Sequence, residues 1–158
     1  MRSICDLCDD HGDAVRVLQA AFHDFGSLRR FSGEIATVQC LDDNGLVRRV
    51  LETPGAGRVL VVDGGGSLRR ALVGDKLGAL AIASGWVGVV VYGAIRDVET
   101  LAGMPIAVRA LGISPLPPRR EGSGAAGIPV SIAGAVITNG QFLYADENGM
   151  IVADQALA

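Results

Sequence analysis

Two short apolar runs separated by one helical stretch constrain the fold of this chain most strongly. Residues 58–63 (RVLVVD) and residues 87–92 (VGVVVY) are rich in valine and almost free of polar side chains inside each run. Continuous β-branched runs of this length are typical of strands buried on both faces of a parallel sheet. Between them, Gly74 and Asp75 begin a predicted helix that Gly85 ends. The order strand, helix, strand predicts a βαβ unit.

Weaker patterns predict the remaining elements. The spacing of Val15, Leu18 and Phe22 predicts a helix over residues 13–23, and Asn44 can cap a second helix that ends before Pro54. Residues 115–127 are predicted to form a loop. The other predicted elements are strands at 33–41, 106–111, 130–136, 141–145 and 150–153 and a helical turn at 98–102. Asn-Gly turn signals near the end of the chain predict that its last third is antiparallel. The fold class is therefore a single α/β domain over residues 1–158.

The composition of the chain bears on its core, its partners and its location. The chain has 158 residues, a net charge of −3 and only 4% aromatic residues, so its core must consist of Val, Ile, Leu and Ala. The chain lacks the surplus of basic residues that would indicate direct nucleic-acid binding. Its apolar stretches are too short for a membrane span. The three cysteines and the absence of a leader sequence lead us to expect a reducing, cytoplasmic location.

The glycine run that follows the first strand is a weak candidate for a dinucleotide site. Gly64, Gly65 and Gly66 stand where such a loop would begin, but Arg69 occupies the last glycine position of the GxGxxG pattern. A turn in which backbone approaches backbone is the better interpretation of these glycines.

A cysteine pair near the amino terminus is a weak candidate for a zinc site. Cys5 and Cys8 have the CxxC spacing, and His11 follows three residues later. A structural zinc site needs four ligands, usually from two paired motifs. Only His23 and Cys40 remain to complete the set, and neither belongs to a pair. Free thiols in an ordinary terminal segment are the preferred interpretation.

The strongest candidate site combines a helix start with a strand end. At the predicted helix start after Gly74, the amides of Lys76 and Leu77 have no intrahelical partner, and they could bind a carboxylate. Arg96 and Asp97 follow the next buried strand, at the carboxyl edge where open α/β sheets bind ligands.

If these ends are neighbours, Asp75, Arg96 and Asp97 would surround an anionic substrate and an oxygen-preferring cation such as Mg²⁺ or Mn²⁺. Spacing alone leaves a second interpretation equally open, in which Asp75 is a helix cap and Arg96–Asp97 a surface turn.

Residues 58–97, RVLVVDGGGSLRRALVGDKLGALAIASGWVGVVVYGAIRD, resemble the central segment of the RraA family, which contains regulators of ribonuclease activity and class II 4-hydroxy-4-methyl-2-oxoglutarate aldolases. The specific signature is an aspartate, twenty intervening residues and then Arg-Asp, matched by Asp75, Arg96 and Asp97. The similarity extends from DLCDDHGDAVRVL through FSGEIATVQCLDDNGLV to LYADENGMIVA.

The resemblance implies a role for each candidate residue. Asp97 would hold the divalent metal, partly through waters, and Arg96 would contact the substrate. Backbone amides of Lys76 and Leu77, next to Gly74, would receive the pyruvyl group. Asp75 would orient a water for proton transfer.

The resemblance also implies a swivelling β/β/α-type domain, assembled as a homotrimer or hexamer. Its expected activity is metal-dependent cleavage of 4-hydroxy-4-methyl-2-oxoglutarate and decarboxylation of oxaloacetate, both through a pyruvate enolate. Two departures are visible. The acidic residue that the aldolases often carry three positions after the aspartate is Thr100 here, with Glu99 one position early. This chain is also shorter than the aldolases, so the acidic residue that they take from a neighbouring subunit is not assigned to a position here.

Two alternatives belong to other classes. The first is a non-enzymatic regulator that binds and inhibits an endoribonuclease of the RNase E type. Regulators in the family can lack the aspartate after the arginine, whereas this chain keeps Asp97, which favours retained chemistry. The second is a methyltransferase of menaquinone synthesis, and we discount it because the sequence shows no glycine-rich loop for S-adenosylmethionine.

Overall fold

In a computed structural model that describes residues 1–158, the two apolar runs become adjacent parallel strands in the middle of a mixed sheet. The helices are α1 Ile4–His11, α2 Gly45–Leu51, α3 Asp75–Ala83 and α4 Val98–Ala102, with a 3₁₀ turn at Gly12–Ala14. The strands are β1 Val15–Val17, β2 His23–Asp24, β3 Phe31–Gln39, β4 Val59–Asp63, β5 Ala71–Val73, β6 Gly88–Ile95, β7 Ala107–Ile113, β8 Ala125–Ala126, β9 Val130–Ile132, β10 Ala135–Ile137, β11 Phe142–Asp146 and β12 Gly149–Ala153.

The main sheet has ten strands, and its path runs β1-β12-β11-β3-β4-β6-β7-β2. Strands β3, β4, β6 and β7 are parallel to one another, whereas β11, β12 and β1 extend the sheet in antiparallel fashion. Strand β5 pairs with β6, and β8 pairs with β3. The predicted βαβ unit and the antiparallel last third are thus confirmed.

Alternating residues of the central strands face two separate cores. In β4, Leu60 and Val62 pack with side chains of α2, α3 and α4 on one face of the sheet. Val59 and Val61 pack on the other face, against the β9–β10 hairpin and strands β11 and β12. The result is three layers, two of strand and one of helix, which is the predicted β/β/α-type α/β fold. Helix α1 lies apart and packs its apolar face on β11 and β12.

The predicted helix over residues 13–23 is wrong. The helix lies earlier, as α1, and Gly12 ends it with a positive φ of 51°. Val15 and Val17 instead pair with Ala153 and Ile151 of β12. Apolar residues over such a short window fit either a helix or a strand, and here pairing with β12 decides the outcome.

Several other elements also differ from the prediction, among them the loop predicted at 115–127, which contains β8. Strand β6 does not end at Tyr92 but continues to Ile95 through an irregularity between Val91 and Ala94. Residues 71–73, for which no element is predicted, form β5. Residues 130–136 form a hairpin, β9–β10, that turns at Ala133 and Gly134, both with positive φ. None of the helices is both long and apolar enough to cross a membrane.

Candidate active site

Strand β5 brings the two halves of the candidate site together. Val73, its last residue, lies opposite Ile95, the last residue of β6. The Arg96 amide donates to the Val73 carbonyl at 3.0 Å. Because both strands end at this pair, the helix start after Gly74 and the turn at Asp97 lie side by side at the carboxyl edge of the sheet.

The amino terminus of α3 retains two unused hydrogen-bond donors. The Asp75 amide donates to Oδ2 of Asp97 at 2.9 Å, and the first helical bond runs from the Gly78 amide to the Gly74 carbonyl at 3.0 Å. The amides of Lys76 and Leu77 have no partner in the protein. Two adjacent free amides at the positive end of a helix dipole form a local site for a carboxylate.

Asp97 adopts a conformation that aspartate tolerates better than most residues. Its φ and ψ are 59° and 43°, in the left-handed region, and its carbonyl accepts the first hydrogen bond of α4, from the Leu101 amide at 3.0 Å. A side chain at Gly74 would collide with Oδ2 of Asp97 and approach Cγ of Arg96 to 3.4 Å. A side chain at position 74 would therefore displace the Asp97 carboxylate from the Asp75 amide.

All six residues predicted from the sequence line one cleft of about 550 Å³: Gly74, Asp75, Lys76, Leu77, Arg96 and Asp97. The cleft is polar, and its opposite wall consists of α2 together with residues of the loop that follows β7. Arg96 and Asp97, which spacing alone allowed to be a surface turn, line this cleft together with the start of α3.

The opposite wall is anchored by Asp43, a buried carboxylate that sequence reasoning missed. Its Oδ1 accepts from the amides of Gly45 and Gly122 at 2.9 and 3.0 Å, and its Oδ2 accepts from the Glu121 amide at 3.0 Å. Burial raises the pKa of the Asp43 carboxyl, but these backbone donors outweigh burial and hold the pKa below its ordinary value. Asp43 therefore fixes α2 and the loop at 121–122 to each other.

Asn44 occupies the N-cap position of α2 as predicted, but its side chain does not cap the helix. Its Nδ2 donates to the Leu72 carbonyl at 2.9 Å, which ties α2 to β5 across the base of the cleft. The capping bond comes from Asp43 instead. The pair Asp-Asn before a helix signals an N-terminus, but nothing in the sequence indicates which side chain reaches across to β5.

The residues of the cleft fit a hydrated, oxygen-preferring cation. Only Oδ2 of Asp97 is engaged, by the Asp75 amide, so Oδ1 and the Asp75 carboxylate accept no hydrogen bond from the protein. No group of three or more His, Cys, Asp or Glu side chains forms a complete set of ligands. Mg²⁺ is commonly held by one or two carboxylates together with waters and substrate oxygens. Asp97 is therefore a suitable ligand for such an ion.

The cysteines lie outside the cleft. Cys5 and Cys8 lie on α1, and Cys40 is buried just after β3. Burial, together with the nearby Asp43 and Asp63 carboxylates, raises the pKa of Cys40 to about 12, so its thiolate is disfavoured. The glycines after β4 form the expected turn, since the amides of Gly64 and Gly66 both donate to the Tyr92 carbonyl.

The chain is similar to known proteins over nearly its whole length. The family described as RraA-like, Aldolase/RraA, matches residues 2–152. A protein of Alkalilimnicola ehrlichii named "putative 4-hydroxy-4-methyl-2-oxoglutarate aldolase" is 50% identical over 152 residues, which are 96% of this chain and 94% of that protein.

Two solved structures have nearly the same backbone. A Thermus thermophilus structure described as the RNA-processing inhibitor RraA has a TM-score of 0.96 and 42% identity, covering 100% of this chain and 96% of that one. A Geobacillus kaustophilus structure described as an S-adenosylmethionine:2-dimethylmenaquinone methyltransferase has a TM-score of 0.97 and 43% identity, covering 99% and 97%. The three names describe three different activities, so the residues of the cleft must decide among them.

Proposed function

This chain belongs to the RraA-like family, and we propose that it is a divalent-metal-dependent lyase acting on 2-oxo acids. Its proposed reactions are cleavage of 4-hydroxy-4-methyl-2-oxoglutarate into two molecules of pyruvate and decarboxylation of oxaloacetate. The observation that carries the proposal is the pair of free amides at the start of α3, beside Arg96 and a carboxylate of Asp97 with an unused oxygen.

Substrate binding follows from these donors. The amides of Lys76 and Leu77 would donate hydrogen bonds to the carboxylate of the 2-oxo acid, and the Arg96 guanidinium would bind the 2-oxo group. Asp97 would hold Mg²⁺ or Mn²⁺, which as a Lewis acid supplies additional stabilisation of negative charge on the substrate oxygens.

Cleavage needs a proton acceptor and a place for negative charge. A water held by the Asp75 carboxylate would take the proton of the C4 hydroxyl as the C3–C4 bond breaks. The bonding electrons pass toward the 2-oxo oxygen, so that the fragment that contains C1 to C3 becomes a pyruvate enolate. Arg96 stabilises the negative charge as it develops on that oxygen. Return of a proton to C3 completes the second pyruvate. Oxaloacetate would give the same enolate by loss of carbon dioxide.

The regulator alternative is favoured by one observation, the close similarity to the structure described as an RNA-processing inhibitor. An assay of pyruvate release from both substrates tests the proposal against it. We expect turnover with Mg²⁺ or Mn²⁺, loss of turnover on addition of a chelator, and recovery when excess metal is restored. An inactive protein that binds an endoribonuclease of the RNase E type would support the regulator and contradict the lyase.

We further propose that the chain is a homo-oligomer, a trimer or a hexamer. Large apolar side chains are exposed near the carboxyl edge of the sheet: Leu68, Ile113 and Leu116 are 51%, 55% and 46% exposed. The segments that carry them are joined by hydrogen bonds from Ser114 Oγ to the Arg69 carbonyl and from the Ala71 amide to the Leu116 carbonyl. An apolar surface of this kind is suited to burial against another copy of the chain. Light scattering at micromolar concentration should give a multiple of the monomer mass, and a monomer would contradict the assembly.

A further inference from the structure

The candidate cleft carries more positive charge than its own carboxylates can neutralise. Arg48 and Glu52, four residues apart on α2, form an ion pair of 3.2 Å. None of the other charged side chains of the cleft forms an ion pair with the protein: Arg49, Lys76, Arg96, Arg120, Asp75 and Asp97. Cations outnumber carboxylates in that group, and a divalent metal would add to the excess. The cleft is therefore suited to a substrate with more than one carboxylate.

The free cations lie on two walls. Lys76 and Arg96 belong to the wall where α3 begins, which the proposed function assigns to the carboxylate and 2-oxo group of the substrate. Arg49 lies on the facing wall, on α2, and Arg120 lies in the loop after β7 that forms the rest of that wall. Gly45, Arg48, Arg49 and Glu52 have the spacing of one helix face, and all four line the cleft.

Arg49 differs from its neighbour Arg48 in having no carboxylate partner. Its guanidinium lies beside Gly122, where an added Cβ would stand 3.0 Å from one of its terminal nitrogens. The supporting structure is firm, because Val47 and Leu51 of α2 are fully buried and Asp43 joins α2 to the loop that contains Gly122. A guanidinium with free donors, carried on a firmly held helix, is well suited to binding a carboxylate.

We propose that Arg49 determines specificity by binding the distal carboxylate of a dicarboxylic 4-hydroxy-2-oxo acid. This inference rests on the proposed function for the position of the reacting end of the substrate. A volume of about 550 Å³ is within the usual range of roughly 300–1,000 Å³ for ligand clefts and leaves room beyond a pyruvyl group. The second carboxylate would then extend from the α3 wall toward α2.

The test compares two substrates that differ only at the distal group. 4-Hydroxy-4-methyl-2-oxoglutarate yields two pyruvates, whereas 4-hydroxy-4-methyl-2-oxopentanoate, with a methyl group in place of the distal carboxylate, yields pyruvate and acetone. For Arg49→Gln we expect the ratio of kcat/KM for the first substrate to that for the second to fall about tenfold, the lower range for loss of a charged hydrogen bond at an exposed position. Arg49→Lys should retain part of the preference, because it keeps the charge but not the planar donor pair.

The control is Arg29→Gln, an exposed arginine just before the amino end of β3, which should keep the parent ratio. Each ratio comes from a single preparation, so a change in the folded fraction does not affect it. If the parent cleaves both substrates and Arg49→Gln keeps the parent ratio, the inference is overturned while the proposed function stands.

A second measurement does not depend on turnover. Calorimetry in the presence of Mg²⁺ compares binding of 2-oxoglutarate with that of 2-oxopentanoate. Arg49→Gln should weaken binding of the dicarboxylate about tenfold while binding of the monocarboxylate stays within about twofold. If Arg49→Gln weakened the binding of both ligands equally, or of neither, the role of Arg49 would be contradicted. This measurement remains decisive even if the protein turns over no substrate, a result that would contradict the proposed function separately.

Discussion

Buried charges near the turn between β11 and β12 form more hydrogen bonds within the protein than the charges of the cleft do. Arg109 of β7 is buried, and its guanidinium donates to Asp24 at 2.7 Å and to the carbonyls of Arg29, Asp146 and Gly149 at 2.8–3.0 Å. Its donors are directed to partners within the protein. In the cleft, by contrast, Arg96 makes one long contact of 3.5 Å to the Pro115 carbonyl.

The acidic residues show the same contrast. Asp146 is buried and accepts from the amides of Ile4 and Asn148 and from the Asn148 side chain, at 2.8–3.1 Å. Asp97 is exposed and accepts one bond, and Asp75 accepts none. A charged group whose hydrogen bonds are all made within the protein stabilises the fold. A charged group at the carboxyl edge of a sheet that has unused donors or acceptors is available to bind a ligand. The completeness of hydrogen bonding therefore distinguishes the buried charges that stabilise the fold, which we call the framework, from the charges of the candidate site.

The largest expected effect comes from the cleft. Asp97→Asn keeps an acceptor for the Asp75 amide and a residue that tolerates the left-handed conformation, but it removes the charge that would hold the metal. We expect kcat for both proposed substrates to fall on the order of 10²–10³-fold, while the free energy of unfolding changes by less than about 1 kcal/mol. Pyruvate release and urea unfolding measure the two quantities.

The matched control is Glu99→Gln, an exposed carboxylate two residues later that does not line the cleft. It should leave turnover near that of the parent. Equal losses in the two variants would remove the distinction between Asp97 and an ordinary surface carboxylate.

The next effect is on stability. Arg109→Met leaves the partly exposed Asp24 and three carbonyls without their donor, and each buried acceptor left without a partner typically costs about 1–3 kcal/mol. We expect unfolding to become easier by about 3 kcal/mol, with kcat of the remaining folded protein unchanged. Arg30→Met, which removes a half-exposed arginine 3.9 Å from Asp146, should cost less than about 1 kcal/mol. A similar loss in the free energy of unfolding for the two substitutions would show that complete hydrogen bonding does not distinguish the framework charges.

The smallest effect is a dependence of stability on pH. Burial raises the pKa of the Asp146 carboxyl, but donors from Ile4 and Asn148 and the charge of Arg30 outweigh it, so the pKa lies below its ordinary value. A depressed pKa stabilises the folded state above the ordinary value of about 3.9, and that contribution is lost as pH falls through the folded-state pKa. The stability advantage of the parent over Asp146→Asn should therefore be constant from pH 7 to about 5 and shrink below about pH 4. Urea midpoints across this range measure it, and an advantage that grows in acid would contradict the assignment.

The sequence predicted the centre of this fold because local signals and burial agree there. Residues 58–63 and 87–92 are apolar enough to be strands in almost any setting, and Gly74 and Gly85 bound the helix between them. The signature of Asp75, Arg96 and Asp97 also stands on these elements, so its placement at one edge could be anticipated.

The remainder depends on contacts between distant parts of the chain. Strand β5 has three residues and is stabilised by pairing with the irregular end of β6, which no local pattern reveals. The role of Asp43 depends on amides nearly eighty residues away, at Glu121 and Gly122. Arg109 interrupts an otherwise apolar strand, and only its partners explain why a charge is buried there. Arg49 is one of two adjacent arginines, and only the structure distinguishes the paired one from the free one.

Binding of Mn²⁺ tests the distinction between site and framework most directly. Calorimetric titration of Mn²⁺ in the presence of pyruvate would be carried out on the parent, Asp97→Asn and Asp146→Asn. We predict one ion per chain for the parent and for Asp146→Asn, with affinity at least about tenfold weaker in Asp97→Asn, since even residues that only support a metal ligand typically contribute about 10–100-fold. Unchanged affinity in Asp97→Asn, or a comparable loss in Asp146→Asn, would contradict the assignment of the metal to the cleft.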